Sequence, residues 1–345
     1  MITTKPRSAK LNLVYDGADI SSSITPYTCG FSFTDNSGGQ ADDLSVSLED
    51  REQLWKSGWY PSKGAKLEAS IVCSNWFESG DSDLILPCGQ FEIDEIEMSS
   101  GASSGDTVTL KAVSALVKNS IRREKKTKSW ENVRLSTIAS DIAAAHNLSL
   151  QFDGTDATYS RIDQREESDL KFLNRIAEDA GNSLKMVDTR IVIYTGADYD
   201  RNPVSHTLTR GQSDIGSVQL RDKICDVYRA CTVKYHDPKD KQLKTYTFTP
   251  PNAPASGEIL QINKEVESIA EAERVAKARL RSKNKMERSG SIPMIGNPRF
   301  MATMNIGLSG WHRFDGKYFI DQATHAYDRS AGYTTNLNVR GVLGY

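Results

Sequence analysis

The chain lacks most of the signatures that announce chemistry. Neither G-x-x-x-x-G-K-[ST] nor G-x-G-x-x-G occurs, so no glycine-rich loop is available to cradle phosphates, and nucleotide chemistry has no support. The five histidines, His146, His206, His236, His312 and His325, are scattered, with no H-E-x-x-H and no second His or Cys at ligand spacing. Each is read as a surface or packing residue. The five cysteines, Cys29, Cys73, Cys88, Cys225 and Cys231, form no C-x-x-C pair and are odd in number, which argues against a zinc site and a disulfide framework. They fit reduced thiols of a protein made in a cytosol. An excess of one charge is missing too. With 43 Lys and Arg against 45 Asp and Glu, the net charge is -2, whereas a nucleic-acid binder carries a clear basic surplus. No apolar run is long enough to span a bilayer, and MITTKPRSAKLNLVYD at the start has no signal-peptide core. A chain of this kind reaches a membrane or cell wall only if an assembly carries it there.

Two near misses fail on spacing. Gly211 to Gly216 (GQSDIG) is not a G-x-S-x-G nucleophile elbow. Asp35 to Gln40 (DNSGGQ) imitates a calcium loop, but Val46 stands where the twelfth-position acid belongs, so a turn before a strand is the better reading. Paired glycosidase carboxylates stay open at this level, because such acids meet in space and keep no fixed spacing. No catalytic, cofactor or metal residue is assigned.

What is present is pattern. From residue 10 to 113 apolar residues recur with period two: Leu11, Leu13 and Tyr15, then Phe31 and Phe33, then Leu44, Val46 and Leu48, then Leu67, Ala69 and Ile71, with Phe91, Ile93, Val108 and Leu110 completing the set. A half-buried antiparallel sheet is implied. Asp16-Gly17 marks a tight hairpin, and Gly101 to Gly105 separates two more strands. In QFEIDEIEM the apolar parity slips between Ile93 and Ile96, as at a bulge, which helps a sheet curl into a barrel. IRREKKTK, residues 121–128, falls where period two gives way to period 3.6. It reads as a solvated linker, since no aromatic residues interleave its charges.

Two helix-to-strand units follow, related by an offset of 34 residues with one extra residue in the second. In the first, Asn132 is the expected N-cap, Leu135, Ile138, Ala139 and Ile142 form the stripe, and Asn147 is the stop. In the second, Ser168 caps, Asp169 meets the helix dipole, Leu170, Leu173, Ile176 and Ala177 form the stripe, and Gly181 is the left-handed stop. Period two resumes after ADYDRNP (residues 197–203). His236 to Asp240 is read as a turn, and strands return at residues 300–306, 318–323 and 334–342. One helix interrupts, opened by the capping box Ser268-Ile269-Ala270-Glu271 and ending in a basic face taken as solvated. Helices are expected at about residues 133–146, 169–180 and 269–284.

Gln164 to Ala177, of the form Q-x-E-S-D-L-x-F-L-x-R-hydrophobic-A with one extra Glu, closely resembles the late control protein D family of contractile phage tails. YTCGFSFTDNSGGQADDLSVSLED (27–50), WYPSKGAKL (59–67), GQFEIDEIE (89–97) and HAYDRSAGYTTNLNV (325–339) follow in the family's order, so the resemblance spans nearly the whole chain. The acidic pair Glu166-Glu167 departs from the usual Asn-Glu and touches only local capping. The family is similar to the hub part of type VI secretion spike proteins.

The resemblance implies a mainly β fold with an α/β insert: a first barrel-like sheet domain (1–120), the insert (121–203) and a second barrel-like domain (204–345) with one inserted helix (268–285). It implies a non-enzymatic baseplate hub, a homotrimer joining the sixfold tail tube to the threefold spike, with the tube or its initiator, the spike or needle protein and other baseplate proteins as partners. Neither sequence-specific nucleic-acid binding nor membrane insertion is implied. The expected location is the tail baseplate of a virion or tail-like particle, assembled in the bacterial cytoplasm. The two sheet domains should then superpose, residues 10–113 on strands from 204–262 and 300–342, although their sequence identity is slight. A wall hydrolase would need sequence beyond the hub region, and the chain stops at Tyr345 after the last family motif. A glycan-binding tail module rests only on Trp55, Trp59, Trp76 and Trp311.

Overall fold

The structure is a computed structural model that describes residues 5–345 apart from 79, 103–104, 115–119, 238–241, 255, 264–265 and 267. Strand outweighs helix by 50% to 17%, so the chain is mainly β.

Alternation in KLNLVY turns Leu11 and Leu13 inward on β1 (Ser8–Tyr15), and Asp16 and Gly17, both at positive φ, reverse the chain into β2 (Ala18–Asp19), as a tight hairpin requires. After the single turn α1 (Ser21–Ile24) come β3 (Thr28–Asn36), β4 (Asp43–Glu49), β5 (Lys66–Ser74), β6 (Leu84–Gly101) and β7 (Gly105–Val113). They pair antiparallel in the order β3-β4-β7-β6-β5-β1-β2. One core, including Phe33, Val46, Ile71, Phe91 and Leu110, covers one face. The expected bulge sits at Asp94, skipped between Ile93 and Glu95 in the β6–β7 ladder. Among the described residues no ladder joins β1 to β3, so hydrogen bonds do not close this sheet into a barrel. Phe31, Trp76 and Tyr327 line the gap instead.

The insert comprises α2 (Ser120–Arg123), β8 (Lys125–Arg134), α3 (Leu135–Ala145), β9 (Ser149–Asp153), β10 (Thr158–Ser168), α4 (Asp169–Asp179), β11 (Asn182–Val187), β12 (Arg190–Thr195) and α5 (Gly196–Arg201). The two helix-to-strand units share one sheet, with β12 antiparallel to β11 and parallel to β9, and one core in which Phe172, Leu173, Ile176 and Ile138 are fully buried. Asn147 and Gly181 take the left-handed stops.

Three readings need correction. The basic run 121–128 is no linker. Its second half is β8, paired with β10, where Lys126 meets the buried Asp169 at 2.7 Å and Lys128 lies over the Trp130 ring, so two of its charges have partners. Asn132 is not the cap of α3, being a left-handed residue within β8. ADYDR is the short helix α5 and no mere break.

Beyond the insert lie β13 (His206–Thr209), β14 (Gln219–Asp222), β15 (Ala230–Asp237), β16 (Gln242–Phe248), β17 (Ile259–Asn263), α6 (Ile269–Asn284), β18 (Arg288–Ile295), β19 (Asn305–Ser309), β20 (Gly316–Asp328) and β21 (Gly332–Gly341). The order β14-β18-β21-β20-β19-β13 makes a second sheet over its own core of Ile292, Ile306, Tyr318, Ile320 and Leu337. The strands placed in this sheet from residues 230–262 do not join it. β15, β16 and β17 form a separate three-stranded sheet with its own core against α6, where Val233, Val275 and Leu280 meet. The place is taken by β18, which sequence reading passed over because Gly290 and Pro293 interrupt its apolar pattern. Phe300 is buried ahead of the strand and not within it. The turn read at residues 236–240 falls largely outside the described residues. β20 pairs with β3 over residues 322–328 and 30–36, which makes the two sheets continuous.

Candidate assembly surface

The two sheets repeat one plan. In chain order the main strands of the first are β1, β3, β4, β5, β6 and β7, and those of the second are β13, β14, β18, β19, β20 and β21. Numbered from one to six, both sheets have the order two-three-six-five-four-one. The hairpins β6–β7 and β20–β21 correspond at a constant offset of 227 residues without insertion or deletion. Gly89 answers Gly316, Ile93 answers Ile320, and the skipped bulge residues are Asp94 and Asp321. The turns close on Gly105 and Gly332, each at φ +75, a left-handed conformation that glycine adopts without strain. One difference remains: β1 joins β5 antiparallel, whereas β13 joins β19 parallel. The signal lies in the sequence, in GQFEID and GDTVTL against GKYFID and GYTTNL at equal spacing, though sequence reading missed it.

At the seam the central residues are buried. His325 of β20 is fully buried between Phe33 and Tyr333, stacked at interplanar angles of 17° and 23°. Its Nε2 lies 2.9 Å from the Phe300 carbonyl, which can only accept, so Nε2 carries the proton and Nδ1 accepts from the Tyr333 hydroxyl at 2.7 Å. Burial pushes its pKa down to about 4. Beside it, Lys185 of the insert pairs with Asp35 and, at 3.2 Å, with Asp42, and donates to the Asn36 carbonyl at 2.7 Å. Burial raises the Asp42 carboxyl to about 6, with Lys185 opposing. The Tyr194 hydroxyl donates to the Ser37 carbonyl at 2.5 Å, so the insert is fastened to the β3–β4 turn by several polar contacts.

A second cluster binds α6 to the second sheet. Arg281 pairs with the buried Asp200. Arg340, stacked on Phe319, reaches Asp200 at 3.0 Å and Asp321 at 3.2 Å. The basic face of α6 is therefore partly consumed inside the molecule, with Arg279 held by Asp179 as well. Between this cluster and the insert lies a cleft of about 210 Å³, lined by Asn182, Tyr194, Arg279, Arg281, Lys285 and Asp321. Arg279, Arg281 and Asp321 are each paired across elements, which suits bracing. Among the described residues no three His, Cys, Asp or Glu side chains gather as a metal site. His206 packs on Phe300, and His146 is buried against Asp169 at 2.7 Å. Trp55 and Trp59 pack with Tyr27, and the Trp76 indole donates to the Gly296 carbonyl at 2.6 Å; Trp55 and Trp76 are buried packing residues, while Trp59 stays 45% exposed.

The fold is one six-strand plan used twice in a single chain. The phage tail baseplate hub (GPD) family model matches residues 91–331, and the chain belongs to that family. It is 28% identical over 235 residues to a probable baseplate hub protein of Escherichia phage P2. That match covers 66% of the chain and 56% of the relative, so the chain aligns with little more than half the relative's length. Among solved structures it is similar to a tail protein from Neisseria meningitidis MC58, with TM-score 0.72 and 13% identity over 97% of each chain. It also resembles an Escherichia coli component of the type VI secretion system, with TM-score 0.53 and 12% identity over 91% of this chain and 73% of that one. At such identities the structural likeness establishes the fold.

Proposed function

We propose that this baseplate hub protein acts as a three-copy adaptor between the sixfold tail tube and the threefold spike. The observation that carries the reading is the repeated strand order. A chain with two sheets of one plan offers two comparable surfaces, so three chains offer six, the number a sixfold ring requires. On this reading the division 1–120, 121–203 and 204–345 is functional. The two sheets, each barrel-like once its neighbours are in place, carry the ring, while the insert and the β15–β17 layer brace its outside and meet other baseplate parts. The role is mechanical and non-enzymatic, exercised in the tail of a virion or tail-like particle built in the host cytoplasm.

The test is the mass of the purified protein, alone and with its spike protein. Three copies are expected, and one or six would overturn the adaptor. Clearing of peptidoglycan in a zymogram by the purified protein, abolished by changing a single Asp or Glu, would overturn the mechanical reading.

A further inference from the structure

In the second sheet, β20 is divided between partners. Its first residues, from Gly316 to Phe319, pair with β19, and residues 322–328 pair with β3 of the first sheet. The equivalent strand β6 is divided in the same way, but one partner is missing. Residues 84–92 pair with β5, whereas from Glu95 to Gly101 the edge turned away from β7 has no ladder among the described residues. The burial follows. Ala323 and His325 are fully buried, while their counterparts at the 227-residue offset are Ile96, half-buried, and Met98, 55% exposed. The second sheet also has an unused strand edge. Among the described residues β14, the counterpart of β3, pairs only with β18.

We propose that the open half of β6 pairs antiparallel with β14 of a second copy of this chain, repeating between molecules the β20–β3 seam within each. The register follows from the internal equivalence. β3–β4 and β14–β18 align Thr34 with Arg221 and Phe33 with Leu220, an offset of 187. Transferring the observed pairs Gln322 with Asn36, Thr324 with Thr34 and His325 with Phe33 then sets Glu95 opposite Lys223, Glu97 opposite Arg221 and Met98 opposite Leu220.

Nothing in the transfer required chemical sense, yet Glu95 and Glu97, which share Lys111 within their own sheet, meet two bases on one face, and Met98 meets Leu220 on the other, where Ile96 falls opposite Asp222, itself paired with Arg288. Directly opposed unlike charges and apolar pairs are what stabilise neighbouring strands. The end of the seam agrees. Ser37 donates its N–H to the Asp321 carbonyl at 2.8 Å, and the same transfer brings Ile224, 90% exposed, to the carbonyl of the exposed Asp94. A contact between two different edges of one chain is head-to-tail, so it either closes a ring or runs on as a filament. An edge so used is also protected from adventitious pairing.

The proposal deepens the three-copy reading. It takes the number of copies from that reading but not the contact. The test is a chain carrying Glu97→Cys with Arg221→Cys, and a second carrying Met98→Cys with Leu220→Cys, each with Cys29→Ser and Cys225→Ser, oxidised and run without reductant. Cross-linked species ending at three copies are expected from at least one pair, and none from the single-cysteine chains. Absence of any cross-link with both pairs overturns the seam, whatever the mass, and a native mass of three copies would then leave the adaptor standing. A ladder running past three copies supports the seam and overturns the three-copy ring. As a control on folding, Glu97→Lys should reduce the oligomer at least severalfold at a given concentration, and adding Arg221→Glu should restore it. No restoration counts against the pairing.

Discussion

At the scale of the residue, His325 shows how the seam between the sheets depends on a neutral imidazole. One ring nitrogen donates to the Phe300 carbonyl and the other accepts from the Tyr333 hydroxyl, with the Thr335 hydroxyl at 3.2 Å, and burial outweighs the pull of the nearby Asp35 carboxylate towards the charged ring. The free imidazole titrates near 6.5 and the folded one near 4, so between these values the unfolded chain takes up a proton that the native one refuses. Stability contributed by the neutral ring is therefore lost as pH falls through that window, on the order of 3 kcal/mol at about 1.4 kcal/mol per pH unit. Asp42 works in the other direction. With its carboxyl raised to about 6, the native state holds a proton the unfolded chain has released, and its contribution declines as pH rises towards 6. A comparison of variants separates the two. In urea unfolding, His325→Gln should cost stability at about pH 7, and the gap from the parent should narrow towards about pH 4.5. A gap independent of pH would show that the ring is not held neutral.

At the scale of the element, what was legible was what is local. Ser168 caps α4 by accepting from the Lys171 amide at 3.4 Å, Ser268 caps α6 from the Glu271 amide at 3.2 Å, and α6 has the expected bounds, because cap and stripe are fixed by neighbours in the chain. The bulge at Asp94 was legible for the same reason. The cap of α3 was not. Arg134 occupies the N-cap without a side-chain bond, and the first turn is served from 20 residues away, Asp156 accepting from the Ser136 amide and hydroxyl at 2.9 Å each. No local pattern announces such an acceptor. Likewise nothing in the period-two strands of residues 230–263 says which sheet they join, since alternation specifies a face and leaves the partner strand open. The repeated plan was expected from symmetry, but its register depended on the ladders. Asp156→Ala should therefore destabilise the protein by about 1 kcal/mol, as loss of a cap does, read as a lower urea midpoint with unchanged slope. No change would mean that α3 begins without its help.

At the scale of the molecule, the shared ladder decides whether the two sheets are two folding units or one. β3 is an interior strand, with Ser32 opposite Ser45 on one side and Ala326 on the other, and Tyr333 of the second sheet's hairpin belongs to the first sheet's core. Unfolding the second sheet alone would therefore strip β3 of one ladder and expose Phe31 and Phe33. A domain boundary is normally a place where few contacts cross, and here the boundary is a strand pair. The expectation is one transition. Versions keeping only Trp55, or only Trp311, report on the first and second sheets respectively, and their fluorescence midpoints in urea should coincide, as cooperative unfolding demands. Ser32→Pro, which removes a ladder hydrogen bond from a central strand, should destabilise the protein and lower both midpoints together. If the Trp311 signal kept its midpoint while the Trp55 signal fell, the sheets would be independent units and the seam a docking contact. A rigid seam matters beyond stability. If the same contact recurs between copies, the angle it sets within one chain is the angle by which the ring advances at each step.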